Sequence, residues 1–185
     1  MRKTVIALSL LVASPFALAD SFKLTSPDIK PNSVISNEQV FNGFGCTGNN
    51  ISPALSWKNP PKDTKSFALL VHDPDAPTGG SGWWHWVVIN LPASASSLPS
   101  GAGKSDGSAA LPGSTQITTD FGGPGWGGPC PPIGDKPHRY NFTLHALKVD
   151  KLELPAGATA ALAGYMINAN SIGKASLTGL FGRQK

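Results

Sequence analysis

The stretch Ser66-Phe67-Ala68-Leu69-Leu70-Val71-His72-Asp73-Pro74-Asp75-Ala76-Pro77 decides the fold. Its first half is apolar at consecutive positions, the pattern of a strand buried on both faces. Its second half ends that strand, because proline lacks the N–H a sheet ladder needs. Two carboxylates, Asp73 and Asp75, therefore stand at the mouth of a buried strand. Aspartate beside proline often only caps a turn. Here Trp83-Trp84-His85-Trp86 follows closely, and carboxylate, imidazole and indole together point to a binding site.

Working outward, Trp83 to Leu91 reads as a partner strand. Strict alternation would put Trp84, Trp86, Val88 and Asn90 on one face and Trp83, His85, Val87 and Ile89 on the other. Arg139 to Leu147 reads as a third long strand, with His138, Tyr140, Phe142, Leu144 and Ala146 sharing a face. Shorter strands are expected at Phe22–Ser26, within Ser33–Phe41, at Ala54–Trp57 and, returning at the end, at Ala175–Phe181. Gly43–Asn50 reads as a loop and Asn59–Asp63 as a turn. Pro92 to Gly128 carries no long periodic segment, and a loop of that length is usually functional or wraps the surface. The spacing predicts one helix over Ala158–Asn170, with Leu162, Tyr165, Met166 and Ala169 at helical intervals and a stop near Gly173. With 21 glycines and 17 prolines punctuating short β-rich runs, the chain reads as one mainly-β domain with long loops.

The N-terminus reads as a leader. Met1-Arg2-Lys3 is basic, Thr4 to Leu18 is mostly apolar, and Ala17-Leu18-Ala19 has the small-x-small form of a cleavage site. The expected division is a signal peptide over 1–19 and a single domain over 20–185, giving a periplasmic or secreted protein. No other segment approaches membrane-spanning length, so no integral membrane association is expected. Cleavage would remove Arg2 and Lys3 and lower the formal charge from +4 to +2. No basic block or stripe is present, which argues against nucleic acid as a partner. In an exported chain the two cysteines, Cys46 and Cys130, most simply form one disulfide. Free thiols or metal ligands are the alternative, without any CxxC spacing behind them.

Four pieces line up in order: Asp73-Pro-Asp-Ala-Pro77; Trp84-His85-Trp86-Val87-Val88-Ile89-Asn90-Leu91-Pro92; Gly128-Pro129-Cys130-Pro131-Pro132; and Gly134-Asp135-Lys136-Pro137-His138-Arg139-Tyr140. The set resembles the phosphatidylethanolamine-binding protein family, also called Raf kinase inhibitor-like, in its bacterial YbhB/YbcL-type branch. The resemblance implies a large central β-sheet packed against a smaller sheet, with one or two peripheral helices. It also implies a small anion-binding pocket at the surface. Carried over by motif, its residues are Asp73, Asp75, His85, His138 and Tyr140, with Gly128, Pro131 and Pro132 shaping one wall. Two departures from eukaryotic members stand out: Cys130 sits inside the proline-rich wall, and the chain ends where a C-terminal gating helix would follow.

A phosphate pocket needs donors with little competing negative charge, which imidazole N–H and phenol O–H supply. His85, His138 and Tyr140 fit that role. The aspartates fit if they orient a neighbouring imidazole or receive a ligand ammonium, as in phosphoethanolamine. Each residue also has a plainer reading. His85 could be a satisfied core histidine, and Tyr140 ordinary packing. His72 and His145 read as structural, and Asp120-Phe121-Gly122 as loop sequence. The leading expectation is a non-catalytic binding protein that holds a small anionic or phosphorylated ligand, or presents that pocket to a protein partner, with no cofactor and no metal. One alternative is an acid/base or metal-assisted hydrolase, against which no GxSxG or HExxH motif appears. The other is an interaction module whose pocket is vestigial.

Overall fold

The computed structural model of the protein describes residues 21–184, so the leader proposed for 1–19 lies outside the described residues. In chain order the elements are β1 (Lys23–Thr25), β2 (Asn42–Gly43), β3 (Cys46–Thr47), β4 (Leu55–Lys58), β5 (Ser66–Asp73), β6 (Trp83–Pro92), β7 (Ser97–Leu98), β8 (Thr115–Gln116), β9 (His138–Leu147), α1 (Ala160–Asn170) and β10 (Ser171–Phe181). The larger sheet is antiparallel throughout, in the order β10-β9-β5-β6-β8. A smaller sheet, β1-β4-β7, packs against it, and β2 and β3 form a separate hairpin.

The central place of β5 explains its composition. Phe67, Leu69 and Val71 face the smaller sheet, where they meet Leu24, Leu55, Trp57 and Leu98. Ala68 and Leu70 face the opposite way and meet Val87, Ile89, Ala163 and Ile167 under α1. A strand that serves two cores has no polar face to spare. Each fully buried side chain of this size contributes roughly 1.5–3 kcal/mol.

Three sequence expectations are corrected. Ser33–Phe41 forms no strand: it makes a single bridge, Val34 to Leu180, among turns. Asn32 has a φ of +55°, which turns the chain before a ladder can start. The faces of β6 do not alternate strictly. Val71 pairs with Trp86 and His72 with Trp84, so one extra residue, His85, is accommodated in a bulge. Trp84 therefore packs beside α1, while His85 turns to the face that carries Trp126 and Tyr140. The helix lies on a different side from the one its large residues suggest. Ala160, Ala163, Gly164 and Ile167 are buried, whereas Tyr165 is 71% exposed. Small residues let the helix approach the sheet: a Cβ on Gly164 would sit 3.5 Å from the Trp84 ring.

The tail does return as a strand, longer than expected, pairing with β9 from Ser171 to Phe181. Thr159 caps α1 by accepting the Leu162 N–H. The Pro92–Gly128 segment wraps the end of the large sheet. Its Gln116 accepts the Trp86 indole N–H, and its Trp126 indole donates to the Gln39 carbonyl.

Candidate ligand-binding site

The bulge at His85, the end of β5 and the start of β9 converge on one cavity of about 310 Å³. Asp73 arrives from β5, His85 from β6, and His138 and Tyr140 from β9, two residues apart on one face. Pro131, Pro132 and Cys130 form one wall. Ala76, Pro77 and Thr78, just after the DPD turn, form another. An aromatic side closes it, made of Trp83, Phe121 and the 67%-exposed Phe44. Phe121 contacts Phe41 and Trp83 and lies 5.3 Å, edge-on, from the His85 ring.

Each floor residue has a distinct hydrogen-bonding state. His85 Nδ1 donates to the Gly127 carbonyl at 2.5 Å, and Gly127 N–H returns a bond to the His85 carbonyl. That clasp fixes the tautomer: a carbonyl only accepts, so the proton is on Nδ1 and Nε2 presents a lone pair. Burial pushes the His85 pKa down to about 4, only partly offset by the Gly127 carbonyl and the Asp73 charge. The ring is therefore neutral at pH 7. Burial first, and the charges of Asp73 and Asp75 second, raise the Tyr140 pKa, so its phenol keeps its proton. His85 Nε2 and Tyr140 Oη are both buried with no partner in the protein. Such orphans are uncommon and call for an explanation.

His138 and the aspartates behave differently. His138 Nδ1 donates to Asp73 Oδ2 at 2.7 Å, and its Nε2 lies 3.3 Å from Asp135 Oδ2. Asp73 Oδ1 accepts the Asp75 N–H at 2.8 Å. Asp73 thus both caps the turn, the plainer reading of the sequence, and orients an imidazole, one of the two site roles expected of it. His138 lines the cavity, but both its nitrogens face carboxylates. Asp75 is not brought into the cavity. It is held by Arg139 through Nε at 2.8 Å, Nη2 at 2.6 Å and the backbone N–H at 2.9 Å. The hydrogen bonds to Arg139 hold its carboxyl down at about 2. Gly128 also lies outside the lining: its N–H goes to Asn50 Oδ1, and a Cβ there would meet the Gln39 carbonyl at 2.0 Å. It is needed for close chain approach, not for ligand contact.

The disulfide forms between Cys46 and Cys130 and ties the β2–β3 hairpin, which carries Phe44, to the proline wall. Arg183 reinforces the joint by donating to the carbonyls of Phe44, Gly45 and Pro131. Sequence reasoning missed Phe44, Phe121, Asp135, Arg139 and Arg183. For Phe121 the signal was present: an aromatic followed by two glycines, Gly122 and Gly123, within a long loop. His72 and His145, read as structural from the sequence, lie outside the cavity lining. His72 Nε2 bonds the Ser81 carbonyl, and His145 Nδ1 bonds Ser171 Oγ. Among the described residues no group of three or more His, Cys, Asp or Glu is placed to hold a metal ion, and no helix is long and apolar enough to cross a membrane.

A two-sheet β fold with a small pocket at the strand ends, floored by imidazole and phenol and walled by prolines, defines a class of ligand-binding protein. The chain belongs to the phosphatidylethanolamine-binding protein family, whose sequence model matches residues 25–182. It is 48% identical to the YbcL protein of Escherichia coli K12 over 180 residues, covering 97% of this chain and 98% of that one. It is 47% identical to YbhB of the same strain over 160 residues, covering 86% and 99%. The crystal structure of E. coli YbcL, described as a new member of the mammalian family, superposes with a TM-score of 0.84 over 88% of this chain and 99% of that one, at 48% identity. A family homologue from Chlamydia trachomatis gives 0.73 at 31% identity, over 88% and 98%.

Proposed function

We propose that this chain is an exported, non-catalytic binding protein for a small phosphorylated or otherwise anionic ligand that carries an apolar body. One observation carries the reading: two buried polar atoms, His85 Nε2 and Tyr140 Oη, stand without partners at the floor of an aromatic-walled cavity. Leaving such atoms unpaired costs about 1–3 kcal/mol each, which a ligand that pairs them returns. The cavity's volume suits a small molecule rather than a peptide. Phe44, Phe121 and Trp83 supply apolar surface for the ligand body. Non-catalysis rests on the roles of the titratable groups: Asp75 is spent on Arg139, Asp73 on His138 and the turn, and His85 is neutral. Export rests on the leader sequence and the disulfide. Presentation of the filled pocket to a protein partner rests on the exposed position of Phe44 at its rim.

The test is calorimetric titration of the protein over 20–185 with phenyl phosphate and phosphoethanolamine. Saturable one-site binding that weakens in Phe121→Ala is expected. No binding of either probe, or binding indifferent to Phe121, would overturn the reading. Turnover of either ester would favour the hydrolase reading instead.

A further inference from the structure

We propose that the cavity takes its oxyacid with one proton still attached: a small phosphate monoester as the monoanion, its P–O–H donating to His85 Nε2 and a neighbouring oxygen accepting from Tyr140 Oη. The inference rests on the binding reading above and narrows it. Three observations carry it. The Gly127 carbonyl occupies Nδ1, so Nε2 offers a lone pair where an anion site usually offers an N–H. A bare phosphate oxygen would meet that lone pair with repulsion; a hydroxyl would meet it with a hydrogen bond. Tyr140 supplies the opposite polarity beside it, its ring 5.0 Å away and edge-on. The floor thus offers one acceptor and one donor, the complement of an HO–P–O edge.

The second observation is charge. No lysine or arginine lines the cavity, whereas Asp73 does. A dianion would lie near that carboxylate with no lysine or arginine in the lining to offset it, and a monoanion halves the repulsion. The third is that the two arginines nearby are committed. Arg139 is paired with Asp75, and Arg183 with backbone carbonyls. A phosphodiester, including an intact phospholipid headgroup, has no P–O–H and is disfavoured. The proton stays on the ligand throughout, and no bond to phosphorus forms or breaks.

Other titratable groups face the floor and must be separated from the ligand's own proton. Asp73 on β5 and His138 and Tyr140 on β9 line it, Asp135 sits beside His138, and two groups outside the lining act on His85 by charge alone: Asp120, which accepts the Trp84 N–H, and His72, on the other face of β5 against Trp84. The ligand's titration is therefore varied instead of the protein's. Affinity is measured from pH 5.5 to 8.5 for phenyl phosphate, for the more basic phenylphosphonate, and for methyl phenyl phosphate, a diester.

The expected result has three parts. Phenyl phosphate affinity falls about tenfold per pH unit above its second pKa near 6. The break moves to higher pH with the phosphonate. The diester binds at least about tenfold more weakly than phenyl phosphate at pH 5.5, having lost a hydrogen bond to a buried acceptor. A flat profile, a break at the same pH for both acids, or a diester that binds as tightly would overturn the inference while leaving the binding reading intact. Failure of all three probes to bind at any pH would overturn both.

Discussion

Replacing Tyr140 by Phe should make the protein more stable and a poorer binder. The ring is fully buried in the core shared by the two sheets, and Phe keeps its volume and packing. Only the hydroxyl is lost, and that hydroxyl has no partner within the protein. An unpaired buried polar group costs about 1–3 kcal/mol, so relief of about 1 kcal/mol is expected. For a domain of this size that raises the unfolding midpoint by about 2–4 °C. The ligand loses a hydrogen bond to a charged group, worth about 1.5–3 kcal/mol, so affinity for phenyl phosphate should fall at least about tenfold. Urea unfolding and calorimetric titration of the two proteins read both effects. If Tyr140→Phe is less stable by more than about 0.5 kcal/mol, the hydroxyl has an internal partner and the reasoning fails. If affinity is unchanged, Tyr140 is not part of the site.

Other outcomes follow from the same geometry. Removing the disulfide with Cys46→Ser and Cys130→Ser opens a link across a sequence separation of 84 residues. The chain-entropy treatment gives about 4.5 kcal/mol, with about 2–5 typical of secreted domains; a change below about 1 kcal/mol in urea midpoint analysis would contradict it. Acid should act in two stages. His85 and His145 both have pKa values lowered by burial to about 4, so the unfolded chain binds more protons between about pH 6.5 and 4. Stability therefore falls as pH drops through that window, on the order of 3 kcal/mol for His85 alone, and a urea midpoint constant from pH 7 to 4.5 would contradict this. Below about pH 4, protonation of Asp75 towards its folded value of about 2 removes the Arg139 bridge. Arg139 is more than half exposed, so Arg139→Met should cost only about 1 kcal/mol at pH 7 by denaturation and narrow that second acid stage.

The long strands were legible because their side chains serve two cores and leave a continuous apolar run, as in Phe67 to Val71. The β9 face was legible because it alternates without interruption from His138 to Ala146. What failed did so where local geometry breaks a period. The bulge at His85 moves one side chain across the sheet, and no composition signal marks it. The helix hides its contact face because three of its four buried residues are Ala or Gly, with Ile167 the one bulky side chain among them. The site's motif residues were legible, but their hydrogen-bonding states were not. Asp75 looks equivalent to Asp73 in sequence. Only the folded chain shows Arg139 drawing it out of the cavity. Phe44 and Phe121 reach the cavity through the disulfide-linked hairpin and the wrapping loop, contacts that no spacing encodes.

A crystal structure of the protein with phenyl phosphate tests the central claim most directly. The phosphoryl group should lie within hydrogen-bonding reach of both His85 Nε2 and Tyr140 Oη, with the phenyl ring against Phe44 and Phe121. A phosphoryl group seated instead on Lys136 or Arg139, out of reach of both atoms, would contradict it.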